Sequence, residues 1–113
     1  MYICHIIKTE IGSKSGERHY VYENISKSPK NLLADAKKFC RENYTKFVKA
    51  KSNFGREYDM KISTWTEVKG FKADTRELYP KHWYKHLVAT IIGCYGRPAW
   101  SVEIQIYKID EIK

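Results

Sequence analysis

The chain reads as an α+β domain: a largely antiparallel sheet of about five strands with one long amphipathic helix on one face, in the order β-β-α-β-β-β. Three observations predict this. Apolar residues recur at three- and four-residue spacing between Leu32 and Phe47, the period of a helix with one buried side. Apolar and polar residues alternate over 58–64 and again over 100–107, the period of a strand with one covered face. The 113 residues show no repeat, low-complexity tract or composition shift, so a single domain spanning 1–113 with one core is expected.

The first strand runs from Tyr2 to Thr9, with Ile3, Ile6 and Ile7 as its expected core residues. Gly12-Ser13-Lys14-Ser15-Gly16 is a turn, and Arg18 to Glu23 is the second strand of a hairpin. The two glycines around Lys14 do not make a phosphate-cradling loop. That loop needs a Gly-Lys-Ser/Thr ending that opens a helix, whereas Gly16 is followed by Glu17 and a strand pattern.

Ser28-Pro29 marks the helix start. The serine hydroxyl can accept from an otherwise unpaired amide, and proline suits the first helical position because its missing N–H would have had no partner there. Leu32, Leu33, Ala36, Phe39, Cys40, Tyr44 and Phe47 then fall within an arc of roughly 140° at 100° per residue. Two ends are open to this helix. The long reading reaches about Lys51, closed by Asn53 or Gly55; the short one stops near Asn43-Tyr44 and leaves Thr45 to Ala50 to a strand, as the β-branched Thr45 and Val48 favour.

Tyr58, Met60, Ile62 and Thr64 alternate with Asp59, Lys61, Ser63 and Trp65, which predicts one half-buried strand. Residues 69–80 are polar and punctuated, a surface connection. Pro80 is expected to open a short helical turn through His86, stacking His82 over His86. His86 to Cys94 is an apolar strand, 95–98 turns the chain, and Trp100, Val102, Ile104 and Ile106 alternate with polar neighbours. That is a hairpin with one face on the core and one face wet.

Composition narrows the classes of function. No apolar run approaches the length of a bilayer span, and Met1-Tyr2-Ile3-Cys4-His5 lacks a signal-peptide pattern. Cys4, Cys40 and Cys94 are odd in number and sit in apolar patterns. Buried thiols in a reducing, cytoplasmic setting are therefore expected. Net charge is +8, and it is uneven: 27–56 hold nine basic and two acidic residues, whereas 58–113 hold nine and seven. Such a field attracts a polyanion or an acidic protein face.

On the helix, Lys30, Lys37 and Arg41 lie about 100–140° from Ala36, with Lys38 and Lys49 at about 200–220° and Asp35 and Glu42 on the other flank. Segregated cations on one rigid element can track phosphates. Rings beside cations can stack on bases; Tyr20, Tyr22, Tyr79 and Tyr107 are available, and Lys81, Trp83, Tyr84 and Lys85 form the densest aromatic–basic mix. The competing explanations are a solvated lysine-rich helix face and a Trp83 that plugs the core edge.

His5, His19, His82 and His86 are the candidates for acid–base or metal chemistry. A histidine-dependent ribonuclease would use two of them as base and acid with a nearby cation. Their spacing specifies neither that nor a metal site. Cys40 and Cys94 lie in apolar surroundings that keep a thiol protonated. No cofactor is called for. The expectation is a non-catalytic module that binds nucleic acid, with a protein-binding or inhibitory domain for an acidic protein surface as the alternative.

Overall fold

The computed structural model describes residues 1–11, 18–44, 49–51, 55, 57–68, 83–93 and 96–109. In chain order they form β1 (Tyr2–Glu10), β2 (Arg18–Ser26), α1 (Pro29–Asn43), β3 (Lys49–Lys51), β4 (Glu57–Asp59), β5 (Lys61–Ile62), β6 (Thr66–Glu67), β7 (Trp83–Ile92) and β8 (Pro98–Lys108). The class is α+β, as the periodicities predict. A six-stranded antiparallel sheet runs β2-β1-β8-β7-β5, with β6 also paired to β7, and β3 and β4 form a separate two-stranded sheet.

The helix begins where its signal lies. Ser28 Oγ accepts from the Asn31 amide at 3.3 Å, and Pro29 takes the first turn. Its end is the short alternative. Asn43 turns its side-chain amide back onto the Phe39 carbonyl at 2.8 Å, and the Tyr44 amide caps Cys40 at 2.8 Å. Two C-terminal carbonyls thus find donors without a further turn, and the chain re-enters as strand at Lys49. Lys49 is therefore not on the helix. Phe47 lies outside the described residues.

Leu32, Ala36 and Cys40 face Cys4 and Ile6 of β1, Val102, Ile104 and Ile106 of β8, and Leu87, Ala89 and Ile91 of β7. All of these are buried. The inward residue at the start of β1 is Cys4 rather than the expected Ile3, because Cys4 pairs with Ile106 on the helix side of the sheet while Ile3 pairs with Tyr107 on the other. A strand's period of two forces that choice once Ile6 faces in.

The predicted strand over 58–64 is broken. Glu57–Asp59 pair with β3, whereas Lys61 and Ile62 pair with Ile92 and Ile91 of β7. Between β5 and β6 the register along β7 slips by one residue. Ser63 bridges the slip: its amide donates to the Thr90 carbonyl and its hydroxyl accepts from the Thr90 amide at 2.8 Å. The helical turn expected up to His86 is also absent over 83–86, where β7 already pairs with β8; His82 lies outside the described residues.

Ile104 is fully buried at the centre of the sheet. Ile104→Ala should cost about 2–5 kcal/mol and Ser28→Ala about 1 kcal/mol, both read from urea midpoints.

Candidate functional site

Alternation along β1, β8 and β7 gives the large sheet two chemically distinct faces. On the helix side, Lys30, Lys37, Lys38 and Arg41 are all exposed on α1. They are not equivalent. Lys38 reaches Glu42 one turn on, at 3.9 Å. Lys37 and Arg41 instead border an open groove of ≈ 280 Å³ whose other walls are Cys40, Ile62, Ser63 and Trp65.

Trp65 is the residue the alternation misplaces. Counted with Asp59, Lys61 and Ser63 it belongs on the polar side, but the one-residue slip between β5 and β6 reverses the phase, and its half-buried ring packs on the core. The visible signal was the Ser-Thr-Trp-Thr run itself, which carries an indole where a wet face would carry a charge.

The same end of the sheet gathers further cations. Ile62, Ile91, Trp100 and Glu10 make one cross-strand row. Next to it Lys8 holds its ammonium 4.1 Å from the Trp100 ring centre and 5.5 Å from that of Tyr44. Burial lowers the Lys8 pKa, and the two ring faces offer the charge a compensating environment. His19 meets the same indole edge-on, at 6.2 Å. Lys61, in β5, and Arg97, just before β8, are exposed. On the helix side, Lys37 and Arg41 thus stand with Trp65 in the groove, and Lys8 with Trp100 and Tyr44.

The cluster expected around 81–85 divides differently. Lys81 lies outside the described residues, as does the side chain of Trp83, whose backbone opens β7. Tyr84 packs edge-on against Tyr2 at 6.2 Å, at the end of the sheet away from the groove. Lys85 pairs with Glu67 at 3.4 Å.

The helix-free face carries a polar row across four strands: Glu23, His5, Gln105 and His86. His5 Nε2 sits 3.4 Å from Glu23 and stands between the rings of Tyr20 and Tyr107. Glu103 is the hub. His86 Nε2 meets its Oε2 at 3.1 Å, Gln105 donates to the same oxygen at 3.0 Å, and Arg18 approaches to 3.7 Å. The His86 hydrogen bond, with smaller help from Gln105 and Arg18, holds the Glu103 carboxyl below its ordinary range despite burial.

The three described histidines lie on two faces of the sheet. His86 is buried, with Nε2 on Glu103 and Nδ1 enclosed, and His19 lies on the opposite face from His5 and His86. Among the described residues no three His, Cys, Asp or Glu side chains are grouped to hold a metal, and no helix is long and apolar enough to cross a membrane. Cys4 and Cys40 are free, buried thiols pushed up to about 12 by burial, as the apolar pattern around Cys40 implied. Cys94 lies outside the described residues.

Comparison of the chain with family models, with curated proteins and with solved structures gives no significant match.

Two pH responses follow from these pKa shifts. Cys4 and Cys40 keep their protons when folded, whereas the unfolded chain releases them above about 9. Stability should therefore fall as pH rises from 9 toward 12, and neither thiol should react with a disulfide reagent at pH 8 before unfolding. Glu103 shifts the other way. Its contribution is present above the ordinary glutamate value of 4.5 and is lost as pH falls through its lowered folded value. Glu103→Gln should flatten the acid limb of a stability–pH curve.

Proposed function

We propose that this chain is a small binding module for single-stranded nucleic acid, engaged through the groove between α1 and the β5–β6 edge. The observation that carries this reading is the meeting of Lys37 and Arg41 with the Trp65 ring in one open groove. Two cations one helical turn apart suit successive phosphates, with the arginine fork able to take two oxygens of one phosphate. A base must leave its stack to reach a ring at the foot of a groove, which favours a single strand over a duplex. Lys8, beside Trp100 on the same face of the sheet, adds to the positive field. Lys38, within 3.9 Å of Glu42, contributes least, and Lys30 adds a cation on the same flank toward the helix start.

Binding of a fluorescent single-stranded oligonucleotide across a salt series tests this. Affinity should fall steeply with salt, and the log–log slope should shrink by about 1.4 in Lys37→Gln/Arg41→Gln, about 0.7 for each phosphate no longer neutralised. Lys38→Gln should change the slope little. Trp65→Leu should weaken binding by about 1–3 kcal/mol with the slope unchanged. A salt-independent affinity untouched by these variants would overturn the proposal. Capture of a discrete acidic protein that survives nuclease treatment would replace it with the protein-binding alternative.

A further inference from the structure

We propose that β2 is a dimerisation edge, pairing antiparallel with β2 of a second copy of this chain about a two-fold axis close to Tyr20. The strand closes one side of the six-stranded sheet, and along its nine residues, Arg18–Ser26, β1 is its one strand partner among the described residues. A long unpaired edge offers a ladder of backbone donors and acceptors to another strand.

The two halves of this edge differ. Toward Ser26 the edge is closed locally: the Ile25 amide is bonded at 2.9 Å by the side chain of Asn24, whose own amide reaches the Tyr22 hydroxyl at 3.4 Å. Toward Arg18 no such side-chain closure is found among the described residues, and among them Tyr20 is the most exposed of the large apolar side chains at 63%.

Register makes the open half self-complementary. Ile6 and Ile7 pair with Tyr22 and Tyr20, so Val21 is an extra residue in the strand. Counting through that bulge, Arg18, Tyr20 and Glu23 share the helix-free face and the same outward backbone direction as Ile25. A two-fold axis at Tyr20 then sets Tyr20 against Tyr20 of the partner subunit, and Arg18 against Glu23 of the partner subunit, twice over. His19 meets Tyr22 of the partner subunit on the helix side. Every pair keeps both members on one face, which an antiparallel ladder requires. Arg18 and Glu23 also lie 3.7 Å from Glu103 and 3.4 Å from His5 within the chain, but with side-chain exposures of 48% and 64% each can turn to a second partner across the edge.

Self-pairing of one patch is what two-fold symmetry demands. Shifting the axis to Glu23 would set the two Glu23 carboxylates against each other, so charge selects the register centred on Tyr20. Because the axis is normal to the sheet, both helices stay on the same side of the joined sheet.

Analytical ultracentrifugation over a concentration series, with circular dichroism to confirm folding, tests the pairing. The wild-type chain should self-associate as a dimer. Arg18→Glu and Glu23→Arg should each weaken association by about tenfold or more, and the double variant, which restores opposite charges across the axis, should recover it. Hydrogen exchange gives a readout free of mutation: the Tyr20 amide should exchange more slowly as concentration rises. A wild-type chain monomeric throughout the series, or a double variant as weak as the single ones, would overturn the proposal.

Discussion

The structure depends on one burial event: the apolar stripe of α1 closing over the middle of the sheet. Leu32, Ala36 and Cys40 are buried against Cys4, Ile6, Ile104 and Ile106. An isolated 15-residue helix is marginal in water, and a hairpin alone fares no better. Each is held by removing the other's apolar face from solvent. The small side chain of Ala36 lets the helix axis approach the sheet, and Leu32 and Cys40, neither branched at Cβ, fill the space on either side of it.

That packing sorts the polar residues into two environments. On the helix side, cations find indole and phenol rings: Lys8 between Trp100 and Tyr44, Lys37 and Arg41 beside Trp65. On the helix-free side, imidazoles find carboxylates: His5 with Glu23, His86 with Glu103. The first arrangement leaves positive charge open to an incoming anion. In the second, Glu103 is surrounded by His86, Gln105 and Arg18, and the network ties β2, β7 and β8 together where no helix covers the sheet. Buried polar groups arranged this way favour one register over its neighbours.

Strand breaks account for most of what was hard to read. Local patterning marks each run of β-prone residues, but it does not say which partner a run will find. The alternation over 58–64 is genuine, yet Glu57–Asp59 and Lys61–Ile62 serve different sheets, and the slip at Ser63 brings Trp65 to the helix side. The helix end was ambiguous for a related reason. Tyr44 fits the helical arc and is buried, but Asn43 supplies the capping amide that lets the chain leave the helix one residue earlier.

By itself the sequence determined the α+β class, the helix start at Ser28-Pro29, the apolar stripe through Cys40, the β7–β8 hairpin and the concentration of positive charge on the chain's first half. These are local: caps, periods of 3.6 and 2, and residue counts need no partner to be read. Only the tertiary structure decided which cations stand beside rings, which lie beside carboxylates, and which face His5, His19 and His86 take. Lys38 and Lys37 are neighbours in the chain, yet one pairs with Glu42 and the other borders the groove. Among the described cations of the basic stretch, Lys37 and Arg41 are the ones that border the groove. Their surroundings are set by strand pairings between residues as distant as Ile62 and Ile91, and no local pattern records those.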